Sequence, residues 1–180
     1  MKIKDTILGY GVTLRRLTED KIEMVRRWRN DPKIRQYMEF QEEITPEMQK
    51  EWFKKIDNEN NLFYIVEHNN IEIGLINIKN INNGEGEGGI FIWDDRYLNS
   101  DISFRAHLAL FDYYFSFPNY NSLISHVLNN NRRAKRFTQF LGFHIFNGQE
   151  NVRNQKYILG KELYLSNVNR LRYYNRYKKL

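Results

Sequence analysis

The sequence contains no cysteine. That excludes a disulfide framework, a thiolate metal site and a cysteine nucleophile, and it makes the cytoplasm the expected address. There are only three prolines and ten glycines, and no linker or internal repeat interrupts the chain. No apolar run approaches the roughly 18 to 20 residues needed to span a bilayer. The N-terminal Met1-Lys2-Ile3-Lys4-Asp5 has no apolar signal core behind it. What is present is bulk: aromatic residues make up 15% of the 180 residues, which a disordered chain lacks. This length fits one domain over 1–180, with a core over about 12–160 and a basic helix or tail over 161–180.

Net charge is +6. Basic side chains cluster at Arg26, Arg27 and Arg29, from Arg132 to Arg136, and from Arg170 to Lys179. Such an excess attracts phosphates, nucleotides or other anions, and the plain alternative for each cluster is a solvated face. No RNA-binding or zinc-finger motif accompanies them, so nucleic acid is not an expected partner. Nor is a membrane.

Val12-Thr13-Leu14-Arg15 alternates and predicts a first strand. Thr18 before Glu19 and Asp20 predicts a helix start with a capping hydroxyl, and Asn30-Asp31-Pro32 stops that helix. A short helical piece follows over Lys33 to Met38. Thr45-Pro46-Glu47 opens another helix, with proline at its first position. Strands are predicted at Leu62 to Glu67, Glu72 to Lys79 and Gly86 to Trp93, with Asn80 to Gly89 as a turn between strands. A helix from about Ile102 to Phe115, a strand at Leu123 to Leu128 and a helix at Arg132 to Leu141 come next. Strands at Phe143 to Phe146 and Gln155 to Leu159 precede a terminal helix from Glu162. This order implies an α/β domain with a mixed, mostly antiparallel twisted sheet of about six to seven strands flanked by helices.

Isolated polar residues carry weaker signals. His126 sits mid-strand and reads either as a hydrogen-bonded core residue or as a site residue. His68, His107 and His144 show no metal spacing, Asp94-Asp95 reads as loop, and no metal is expected. Trp28, Tyr37 and Trp52 either line a substrate pocket or belong to the core.

Three segments resemble one family. They are Arg27-Trp28-Arg29-Asn30-Asp31-Pro32 with Ile34 to Met38, Gly86-Glu87-Gly88-Gly89-Ile90-Phe91-Ile92, and Asn131-Arg132-Arg133-Ala134-Lys135-Arg136-Phe137 ending at Leu141-Gly142-Phe143. Together with the element order they resemble the GNAT acyltransferases, in the branch that includes ribosomal-protein, polyamine and amino-sugar acetyltransferases. The resemblance implies acetyl-CoA as co-substrate and direct attack by a primary amine. The acceptor it implies is a small molecule, such as a nucleotide-linked amino sugar; a protein N-terminus and a polyamine stay open as acceptors. It implies Glu87 as general base, with an exposed strand glutamate as the alternative; His126 is a further catalytic candidate because its strand would border the cofactor gap. Ile90, Phe91 and Ile92 would supply the backbone wall against the cofactor. Leu98, Asn99, Ser100, Asp101, Ile102 and Ser103 would form the pyrophosphate loop. Asn131, Arg133 and Arg136 would meet the pantetheine or phosphate arm. Trp28, Asn30 and Tyr37 would face the substrate.

The sequence departs from the family in two places. The pyrophosphate loop has no glycine, although backbone must approach phosphate closely there. A carboxylate at Asp101 about 5 Å from phosphate would cost up to about 3 kcal/mol at an effective dielectric near 20. It escapes that cost by pointing to solvent, or by pairing with Arg96 or Arg105; capping the next helix would make it compete for the phosphate's amides. The place where many relatives carry a tyrosine as general acid falls on Thr138, with Tyr157 as a substitute candidate. These departures keep a second reading open, a GNAT-fold binding module without cofactor. Tyr173, Tyr174 and Tyr177 of the tail could close a homodimer contact or cover a pocket.

Overall fold

The computed structural model describes residues 3–177, with side chains through Arg172. The tail tyrosines' side chains and residues 178–180 therefore lie outside the described residues. Eight strands form one sheet in the order β1 (Thr6–Gly9), β2 (Val12–Arg16), β3 (Leu62–His68), β4 (Ile71–Asn82), β5 (Glu85–Ile92), β6 (Ser122–Leu128), β8 (Asn154–Gly160) and β7 (His144–Ile145). Every neighbouring pair is antiparallel except β5 and β6. The helices are α1 (Ile22–Asn30), α2 (Pro32–Arg35), α3 (Pro46–Ile56), α4 (Ile102–Phe115), α5 (Arg132–Phe140) and α6 (Lys161–Tyr177).

One face of the sheet packs on α4 and α6, where Ile76, Ile78, Leu108, Phe111, Tyr114 and Tyr164 share a core cluster. Helix α4 is apolar on nearly all sides because it is covered on all sides. The other face carries α1 and α3, with Val25, Trp28, Phe53, Phe63, Ile65 and Leu75 in a second cluster. Thr45 caps α3 as its sequence predicts, its hydroxyl accepting from the Met48 amide at 3.2 Å.

Three expectations are corrected. Strand β1 adds one strand to the predicted count. Its alternation is masked because Leu8 is 76% exposed beside buried Ile7. The Asn80 to Gly89 stretch is strand except for Asn83-Gly84, whose φ values of 48° and 81° are those of a tight hairpin turn. Thr18 caps nothing; its hydroxyl donates to Asp20 instead.

Asp112 ties α6 to the body. Its Oδ1 accepts from Tyr164 at 2.7 Å, and its Oδ2 accepts from Arg172 at 3.0 Å and from the Tyr10 hydroxyl. Tyr164 is 1% exposed, so removing its acceptor strands a buried hydroxyl. Asp112→Ala is expected to cost about 2 kcal/mol in urea unfolding, a value discounted for the partial exposure of Arg172. A loss below about 0.5 kcal/mol would show that α6 is held by its apolar face alone.

Candidate active site

Strands β5 and β6 pair over three residue pairs only, Glu85 with Ser122, Gly86 with Leu123 and Glu87 with Ile124. Beyond them β5 stays on β4, through Ile76–Ile90, Leu75–Phe91 and Gly74–Ile92. Strand β6 stays on β8. The sheet therefore forks at Glu87, and the β6-facing edge of Ile90, Phe91 and Ile92 has no strand partner among the described residues. An open edge of backbone groups is what an extended ligand pairs with.

Glu87 stands at the crotch of this fork. Alternation along the strands puts it on the same face as Phe91, toward α1. Phe91 meets Trp28 of α1 edge to face at 6.4 Å, and Trp28 stacks on Trp93 at 5.8 Å. His126 lies two residues past Ile124, so it shares that face. Its Nδ1 is 3.2 Å from Glu87 Oε1. Lys79, opposite Glu87 on β4, brings its Nζ within 3.2 Å of the same oxygen. Among the described residues no hydrogen bond reaches Glu87 Oε2. The carboxylate thus has Oε1 flanked by two bases. The fork brings Glu87 and His126 together. Lys79 was not singled out in the sequence, and only the antiparallel β4–β5 register reveals it.

The chain leaving β5 makes a short turn over Asp95–Tyr97 and enters α4. Ser100 Oγ accepts from the Ile102 amide at 3.2 Å and donates to Tyr97 O at 2.7 Å. Asp101 makes no side-chain cap. Its carboxylate turns back to Arg105, at 2.9 and 3.0 Å. The amides of Ser103 and Phe104 are left without partners among the described residues, at the positive end of the helix dipole. Arg96 is taken by Asp94, not Asp101. Leu98 packs on the core, Ile102 is buried, and Asn99 is exposed.

Asn131 caps α5, its Oδ1 accepting from the Ala134 amide at 3.0 Å. Arg133 and Arg136 are exposed on that helix and make no ion pair among the described residues. Thr138 is 7% exposed beneath α5 and touches neither Glu87 nor His126 in any described hydrogen bond. Tyr157 pairs with Ser125 on β6, which places it on the opposite face from Glu87. It is buried, bonded to Gln155, and its pKa is raised by burial.

At the end of α1, Asn30 spends both ends of its amide on the Ile44 backbone, at 2.9 Å each. It therefore pins the loop before α3. Tyr37 is 51% exposed beside that loop. Trp28 lines a cleft of about 600 Å³ with Met24, Trp93, Glu67 and Glu72. No group of His, Asp and Glu suited to a metal ion occurs among the described residues.

A family model described as the GNAT acetyltransferase domain matches residues 12–144. No curated protein matches the sequence. Solved structures share the fold. A domain from Methanocaldococcus jannaschii is 23% identical, with 83% of this chain and 97% of that one covered at a TM-score of 0.72. Spermidine N-acetyltransferase from Vibrio cholerae, in complex with CoA and spermine, is 22% identical, covering 86% and 98% at a TM-score of 0.74. Aminoglycoside acetyltransferase AAC(6')-Ib, in complex with coenzyme A, is 18% identical, covering 86% and 98% at 0.73. The family match takes in more than half of the chain and the whole fork, so this protein belongs to the GNAT acetyltransferase-domain family.

Proposed function

We propose that the protein transfers an acetyl group from acetyl-CoA to the primary amine of a small molecule, by direct attack in a ternary complex. The observation that carries this reading is the fork in the sheet with the Glu87 carboxylate at its crotch, beside Lys79 and His126. The residues present fit the cofactor. An open β5 edge suits a pantetheine arm, unpaired amides at Ser103 and Phe104 suit a pyrophosphate, and the exposed Arg133 and Arg136 suit a ribose phosphate. Bound acetyl-CoA supplies the thioester carbonyl that the amine attacks.

The chain's own residues do the rest. Glu87 Oε2 takes the proton of the ammonium acceptor, directly or through one water, leaving a neutral amine to attack. Lys79 and His126 hold the other oxygen and keep the carboxylate aimed at the gap. Backbone N–H groups along Ile90 to Ile92 polarise the carbonyl. The new bond is the amide C–N, the bond broken is the thioester C–S, and the departing sulfur takes up a proton from solvent in place of the absent tyrosine at Thr138.

Calorimetric titration with acetyl-CoA, and with CoA as control, tests the reading. Micromolar binding supports it, and no binding at millimolar cofactor overturns it in favour of a binding module with a glycine-free loop. Asp101→Gly sharpens the test. Arg105 already neutralises the carboxylate, so the gain in acetyl-CoA affinity is expected to be about two- to tenfold, well short of the hundredfold of an unpaired charge. Unchanged or weaker binding would place Asp101 away from the phosphates.

A further inference from the structure

We infer that the acceptor amine also carries an anionic group, a carboxylate or a phosphate, and that Arg29 at the end of α1 holds it. This rests on the acetyl-transfer reading above and names the substrate class for the same site.

Arg29 makes no hydrogen bond and no ion pair among the described residues. Its Nε is buried without a partner. Burial pushes its pKa down, and no acid offsets that shift. The acids nearest in sequence are engaged elsewhere. Glu23 takes Arg26 and Arg27. Asp31 accepts from the Trp93 indole at 3.1 Å and from the Lys33 amide. Arginine stays charged in proteins, and a desolvated charge without a partner is retained at a cost to stability. A guanidinium is also the side chain whose planar fork matches carboxylate and phosphate oxygens.

Its place on α1 is what relates this charge to the acceptor side of the proposed reaction. Spacing of four and seven residues sets Arg29 on the α1 face that also carries Val25 and Ile22, both buried. The preceding residue, Trp28, rests on Phe91, in the half of β5 that has left β6. Helix α1 therefore ends over the open limb of the fork, on the same face as Glu87. A molecule that offers its amine to Glu87 from this side passes the end of α1. Among the described residues Arg29 has no carboxylate partner.

Melting temperatures of the full-length protein, with CoA present to occupy its own phosphate sites, test the inference. The probes are inorganic pyrophosphate and malonate, each against sodium chloride at equal ionic strength. The wild type is expected to gain about 2 °C or more with at least one probe at millimolar concentration. Arg29→Met should lose that gain, and Arg29→Lys should keep part of it. Which probe acts distinguishes phosphate from carboxylate. Turnover then ties the anion to the acceptor: glucosamine 6-phosphate against glucosamine, and phenylalanine against phenethylamine. In the favoured pair the anionic member should lead by about tenfold or more in kcat/KM, and Arg29→Met should erase the lead. Equal anion shifts in wild type and Arg29→Met, no shift with either probe, or a lead that survives the substitution overturns the inference. Absence of acetyl-CoA binding overturns the acetyl-transfer reading instead, and calorimetry reports that separately.

Discussion

Glu87→Gln lowers kcat by about 10²- to 10³-fold at neutral pH, and the dissociation constant for acetyl-CoA stays within about twofold. The amide keeps the shape of the carboxylate and cannot take the ammonium proton. Cofactor affinity should be spared because the groups proposed to face the phosphates lie on α4 and α5, away from β5 residue 87. The pH–rate profile separates catalysis from structure. In the variant, the rate should rise with pH wherever the free amine becomes the abundant species, because nothing in the protein prepares it. Lys79→Met is the control. It leaves His126 on Glu87 Oε1 and removes one of two bases holding that oxygen, so its effect should be several-fold smaller. If Glu87→Gln retains the wild-type rate and profile, Glu87 is a strand residue in a charge cluster and the proton leaves by another route.

Stability is expected to fall between pH 6.5 and pH 4 through His107. It lies in the second turn of α4, 6% exposed, between the rings of Phe111 and Phe137 at 5.2 Å each. Its Nδ1 is 2.7 Å from Ser103 O, so the neutral ring donates there. Burial pushes its pKa from 6.5 down to about 4. Between these values the unfolded chain binds a proton that the folded chain refuses. The stabilisation is therefore complete above pH 6.5 and is lost as pH falls through the window, by about 1.4 kcal/mol per unit and about 3 kcal/mol in all. His107→Phe should flatten this part of the curve, and subtracting it from wild type removes the contribution of carboxylates. Parallel curves for the two proteins between pH 6.5 and 5 would mean that His107 titrates in the folded state as it does in water.

Local chemistry is legible at Thr45 and misleads at Thr18, whose hydroxyl turns to Asp20 instead of capping. Thr45-Pro46 announces α3, because a cap is written within four residues; Asn131, which the resemblance set against the cofactor, spends its side-chain oxygen on capping α5. The resemblance to GNAT enzymes located Glu87. His126 drew notice by itself as a polar residue in an apolar strand. That the two stand 3.2 Å apart was not legible, because their meeting depends on the parallel register of β5 and β6 across all of α4. Lys79 was hidden for the same kind of reason, one register away on β4. Asp101 offered several partners. Its spacing to Arg105 is a helical one, and that geometry prevailed over Arg96, whose guanidinium is taken up by Asp94. Asn30 shows the converse. The motif around it pointed to substrate, and its amide is spent on the Ile44 backbone. A side chain's type suggests what it can bind, and only its neighbours decide what it does bind.

The fork also bears on how the chain folds. Strands β3, β4 and β5 close on one another through tight turns at Asn69-Asn70 and Asn83-Gly84, which is fast, local work. The three pairs that join β5 to β6 close a loop through the whole of α4, and loop closure of that length is slower. The meander therefore assembles before the gap exists. In pulsed hydrogen exchange, amides of β3 and β4 should gain protection ahead of those of β6 and β8. A cofactor held between the limbs has no foothold on that half-built sheet, so adding it should slow unfolding and leave the early folding phase untouched.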